Sequence, residues 1–66
     1  MHSMQIDYPD DLLINSGKSP DQMERELSLL LAVKLFELRR LSMGKAAELC
    51  HMNKTRFLFE LGRLGV

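Results

Sequence analysis

The sequence predicts a mostly α fold: a short N-terminal β-strand, a long central helix and a C-terminal helix-turn-helix, paired as a dimer. Three observations carry this expectation. A capped, largely apolar stretch runs without a breaker over residues 20–40. Residues 42–62 place small, turn-forming and apolar residues at helix-turn-helix spacing. Residues 4–8 alternate apolar and polar side chains.

Sixty-six residues make a single domain, near the size at which one core only just holds. Small chains usually gain margin from disulfides, a metal or a partner subunit. Cys50 has no second cysteine to pair with, and Cys50, His51 and the distant His2 form no spaced ligand pairs. No metal or other cofactor is expected, and self-association is the remaining route. The lone cysteine and the lack of a secretory leader suggest a cytoplasmic setting. The longest apolar run, Leu29 to Val33, is too short to cross a bilayer.

Met1-His2-Ser3 is read as a tag remnant. Met4-Gln5-Ile6-Asp7-Tyr8 has the period of a half-buried strand, which needs a mate to satisfy its backbone. A second copy is the expected mate, with Ile6 and Tyr8 on the shared surface. Pro9 ends the segment. Asp10 and Asp11 open a helix of one or two turns through Leu12-Leu13-Ile14, which stops at Asn15-Ser16-Gly17.

Ser19-Pro20-Asp21-Gln22 is the clearest local signal. Ser19 caps, Pro20 fits the first turn, and Gln22 completes a capping box. The helix that follows, over residues 20–40, should be about 30 Å long. Met23, Leu27, Leu30, Leu31, Leu35, Leu38 and Leu41 share one face; Leu29, Ala32, Val33 and Phe36 lie almost opposite. A surface helix needs a single apolar stripe. Two stripes predict packing on the domain and on a second subunit, and Leu29, Val33 and Phe36 are assigned to dimerisation.

Ser42 should cap a helix from Met43 to about Cys50. His51-Met52 is the turn, Asn53 the next cap, and Lys54 to about Leu61 the last helix, broken by Gly62 and Gly65. Ala46-Ala47 allow close crossing, Met52 dips toward the core, and Phe57, Leu58 and Leu61 pack back. In this arrangement Lys54, Thr55 and Arg56 occupy the exposed first turn that enters the major groove in DNA-binding helix-turn-helix proteins. Arg56 could reach guanine, Thr55 a base or phosphate, and Lys54 a phosphate. Asn53, Lys45 and Arg63 complete the expected DNA-binding set. The charge is lopsided: residues 1–33 carry Lys18 and Arg25 against six carboxylates, and residues 34–66 carry seven Lys or Arg against three. The basic half suits phosphate, and the acidic half suits a basic partner.

The runs Ile6-Asp7-Tyr8-Pro9-Asp10-Asp11-Leu12-Leu13, Leu29-Leu30-Leu31-Ala32-Val33-Lys34-Leu35-Phe36, Gly44-Lys45-Ala46-Ala47-Glu48-Leu49 and Phe57-Leu58, followed by Leu61-Gly62-Arg63, carry a resemblance. In order and spacing they are similar to an uncharacterised prokaryotic protein family of antitoxin-like helix-turn-helix proteins. Its members are regarded as DNA-binding halves of toxin–antitoxin pairs, often encoded beside PIN-domain ribonuclease toxins in a VapBC-like arrangement. The resemblance implies transcriptional autoregulation of an operon and a PIN-domain toxin as partner. Family members usually continue beyond the equivalent of Val66 into an acidic tail, the expected toxin-holding segment. Two residues depart from the family pattern: His51 replaces a usual Gly in the turn, and Arg56 stands where an acid is frequent.

Catalysis is not expected. Cys50 and His51 are adjacent at a helix end and cannot readily face each other as nucleophile and base. The alternative to DNA binding is a protein-interaction module in which the helical hairpin is only structural.

Overall fold

Four helices follow one another in the computed structural model, which describes residues 2–66. They are α1 (Asp10–Ser16), α2 (Pro20–Glu37), α3 (Met43–Leu49) and α4 (Lys54–Arg63). The fold is therefore helical, and the expected N-terminal β-strand is overturned: residues 4–8 form no strand. Alternation makes a strand only where a neighbouring extended segment takes up its backbone hydrogen bonds, and the described residues offer none. Met4, Ile6 and Tyr8 instead line an open groove with Glu24, Leu27, Ser28 and Leu31 of their own α2.

Each helix begins and ends for a local reason. Pro9 precedes α1, Asp10 and Asp11 fill its first turn, and Gly17 closes it at φ 68° with its N–H on the Leu13 carbonyl. At α2 the expected capping box is complete. Ser19 Oγ accepts from the Gln22 N–H at 3.3 Å, and Gln22 Oε1 accepts from the Ser19 N–H at 2.9 Å. Lys18 pairs with Glu26, tying the α1–α2 link to the second turn of α2.

α2 stops at Glu37, three residues before the expected end. Leu38 is its C-cap and Arg39 follows at φ 60°. The Arg39 N–H reaches the Phe36 carbonyl at 3.0 Å and the Arg40 N–H reaches the Leu35 carbonyl at 2.8 Å. These two bonds are a Schellman closure, normally built on Gly. With Arg at the left-handed position, the sequence lacked the residue that usually announces the stop.

The core gathers on one face of α2. Leu29, Ala32 and Val33 pack with Ala46, Ala47, Cys50, Phe57 and Leu61 from α3, the turn and α4. Phe36 meets Phe57 edge to face, with centroids 6.1 Å apart and planes at 88°. Leu29 and Val33 are thus spent inside the chain's own core, and Phe36 is partly buried against it; none is left as a free dimer surface. Leu30, Leu31 and Leu38 on the other side of α2 stay exposed. Met23 is buried apart from the main cluster. Among the described residues, no helix is long and apolar enough to cross a membrane.

Candidate nucleic-acid interface

The hairpin formed by α3 and α4 is built from caps and small side chains. Ser42 Oγ accepts from the Lys45 N–H at 3.3 Å and starts α3. Ala46 and Ala47 are fully buried, so α3 lies close to its neighbours, as the sequence led us to expect. Cys50 ends α3; its thiol donates to the carbonyls of Ala46 at 3.4 Å and Ala47 at 3.5 Å. Burial raises its pKa above the ordinary thiol value, opposed by backbone hydrogen bonds from Cys50 and Met52.

His51 then adopts φ 60°. Its N–H reaches the Glu48 carbonyl at 3.1 Å, and the Met52 N–H reaches the Ala47 carbonyl at 2.8 Å. This is a second Schellman closure on a residue other than Gly. It reverses the chain and turns Met52 onto the core, where its side chain is partly buried. Asn53 Oδ1 accepts from the Arg56 N–H at 2.7 Å and opens α4. A seven-residue helix, a four-residue turn and a ten-residue helix follow in register. Together they form a helical hairpin.

The expected DNA-binding residues fall into three groups. Lys54, Thr55 and Arg56 are exposed on the first turn of α4. A Cβ placed at Gly44 would sit 3.9 Å from Lys54 Cδ, so the lysine stem lies beside the first turn of α3. Lys45 is exposed on that same turn, paired with Glu48 at 3.3 Å. The first turns of both helices therefore share one end of the hairpin. Asn53 belongs to this end, yet its side-chain oxygen is engaged in capping. Its place in the site is to orient α4.

Arg63 lies at the far end of α4, away from that cluster. It is joined to Arg56 by a residue the sequence reading did not single out. Glu60 is only 5% exposed; it accepts a hydrogen bond from Arg63 and forms a longer ion pair with Arg56. Arg63 Nε and Nη2 each approach Oε2 at 2.7 Å, and Arg56 Nε approaches Oε1 at 3.4 Å. Spacings of four and three residues between opposite charges were the available signal. Leu58 also departs from expectation. Instead of packing back it is 57% exposed, next to Phe59 at 66%. α4 continues through Gly62 to Arg63 and closes with Gly65 at φ 78°, so only the second glycine breaks it. Arg39 and Arg40 border an open groove with Phe36, Glu37, Leu41 and Ser42 at the α2–α3 corner.

No solved structure matches the chain. A protein of Archaeoglobus fulgidus described as "UPF0175 protein" is 36% identical over 59 residues, which is 89% of this chain and 66% of that relative. The chain thus spans slightly less than two thirds of the relative's length. The model of the Uncharacterised protein family (UPF0175) matches residues 1–66. With its sequence matched from end to end, the chain belongs to the Uncharacterised protein family (UPF0175).

Proposed function

We propose that this chain is the DNA-binding domain of a prokaryotic autoregulator with an antitoxin role, its duplex contact made by the first turn of α4. The observation that carries the reading is the exposed Lys54-Thr55-Arg56 turn at the Asn53 cap, with Lys45 at the same end. Two cations and a hydroxyl there suit phosphate and base-edge contacts. The surplus of cations in residues 34–66 supplies a favourable field for approach to DNA. The reading includes a homodimer, supported by the exposed Leu30, Leu31 and Leu38 on the α2 face turned from the core. A PIN-domain toxin as partner follows from the antitoxin-like resemblance.

Fluorescence anisotropy with duplex DNA from upstream of its own gene tests the contact. The wild type should bind, and binding should weaken steeply as salt rises. The double variant Lys54→Ala/Arg56→Ala should lose at least roughly tenfold in affinity. Unchanged affinity in that variant would remove α4 from the interface.

A second reading rests on Leu58 and Phe59. Two large apolar side chains exposed on adjacent positions of α4 are unusual for a groove-reading surface and suit a protein contact. If the helical hairpin serves a protein partner alone, Phe59→Ala should abolish capture of the neighbour-encoded protein while Lys54→Ala/Arg56→Ala leaves it intact.

A further inference from the structure

We propose that Glu60 is a positioning residue that holds Arg56 and Arg63 as a clamp for the phosphodiester backbone, so that Arg56 does not read bases. The inference rests on the DNA-binding reading above and assigns a chemical role to one edge of α4. At 100° per residue, Arg56 and Arg63 lie seven positions apart and only about 20° from the same line along the helix, with Glu60 beside them. Two turns separate them, about 10.5 Å of rise.

The Glu60 side chain is 7% exposed, yet the two arginine side chains are 65% and 57% exposed. A buried carboxylate is costly to desolvate and stabilises little by itself, and an apolar residue there would extend the Phe57–Leu61 stripe. Its geometric effect is specific. Arg63 brings two nitrogens to one oxygen, and Arg56 is ion-paired at 3.4 Å with the other. A guanidinium has five N–H donors, so each arginine keeps donors for a second acceptor while its plane is fixed from the protein side. Two cations on one anion leave the cluster with one net positive charge. A cation paired with a buried carboxylate is poorly placed to swing to a guanine edge, whereas a phosphate oxygen can take the outward donors as they stand.

The charge balance makes the test two-sided. Glu60→Gln keeps the shape and one acceptor and removes a negative charge. If Glu60 does not position the arginines, the variant should bind DNA more tightly. If it does, affinity should fall roughly fivefold in spite of the added net charge. The measurement compares the upstream duplex with a mixed-sequence duplex of equal length by anisotropy across a salt series. We expect Glu60→Gln, Arg56→Lys and Arg63→Lys each to weaken both duplexes by the same factor, leaving their affinity ratio unchanged. A tighter Glu60→Gln overturns the clamp while the DNA reading stands. Loss confined to the upstream duplex in Arg56→Lys makes Arg56 a base reader and also overturns it. Wild-type protein that binds neither duplex defeats the DNA reading and the clamp with it. The hold itself is read without DNA. The Nε–H resonance of Arg63 should be resolved and slowly exchanging in the wild type and collapse to the free-arginine position in Glu60→Gln. A collapsed resonance in the wild type would contradict the positioning role on its own. Should Glu60→Gln fail to fold, the two Arg→Lys variants carry the comparison.

Discussion

At φ 60°, His51 and Arg39 occupy a backbone region in which an L side chain crowds its own carbonyl, at roughly 1–2 kcal/mol. Part of that strain returns as glycine entropy if either is replaced, so His51→Gly should stabilise by about 0.5–1 kcal/mol. Thermal melting should register a rise of several degrees. A lower midpoint would mean that the imidazole stabilises the turn by more than the strain costs. Phe57 is the opposite case. It is fully buried between α2 and the hairpin, and Phe57→Ala should cost about 3–5 kcal/mol. A domain this small has little more than that in reserve, so the variant should be largely unfolded by circular dichroism at room temperature. Cys50 couples the core to pH. Its folded pKa is raised by burial above the ordinary value of 9.0. The folded state therefore holds the thiol proton more tightly than the unfolded chain does. That contribution is intact below pH 9.0 and is lost as pH rises further through the folded pKa. Urea midpoints should fall above that pH in the wild type and show a smaller fall in Cys50→Ala.

Helix α4 is the element on which the functional reading turns. Its start depends on one side-chain bond, from the Arg56 N–H to Asn53 Oδ1. Asn53→Ala should destabilise the domain by about 1 kcal/mol, measured as a shift in the urea midpoint. It should also weaken DNA binding more than Ser19→Ala, which removes a comparable cap from the distant start of α2. Equal effects on binding would mean that the caps act only through global stability. The caps were legible because Ser19, Ser42 and Asn53 are capping residue types that each stand directly before a helix-forming run. The helix ends were harder to read. Arg39 and His51 take a conformation that sequence statistics reserve mainly for Gly, while Gly62, which looks like a stop, passes through the helix. The strand expectation at residues 4–8 failed for a related reason. A two-residue period records which side chains share a face but says nothing about whether a second strand is near.

For the molecule as a whole, the hairpin of α3 and α4 could be inferred because Ala46, Ala47, Met52, Phe57 and Leu61 have few other ways to be buried together. Which face of α2 meets the hairpin could not. Both faces are apolar, and the choice depends on the close approach that Ala32 permits, with its side chain fully buried in the core. That choice moves the expected self-association from Leu29, Val33 and Phe36 to Leu30, Leu31 and Leu38. Light scattering at micromolar concentration should give twice the 7.6 kDa chain mass. Leu31→Glu together with Leu38→Glu should return the monomer, with helicity retained because both positions are exposed. A wild-type monomer would leave the DNA contact to a single helix-turn-helix. The contact surface itself is tested most directly by titrating isotopically labelled protein with the upstream duplex and mapping the amide resonances that move. The largest changes should fall on Lys45 and residues 53–56. Changes centred on Leu58 and Phe59, or on the exposed face of α2, with residues 53–56 unmoved, would contradict the assignment of the DNA contact to the first turn of α4.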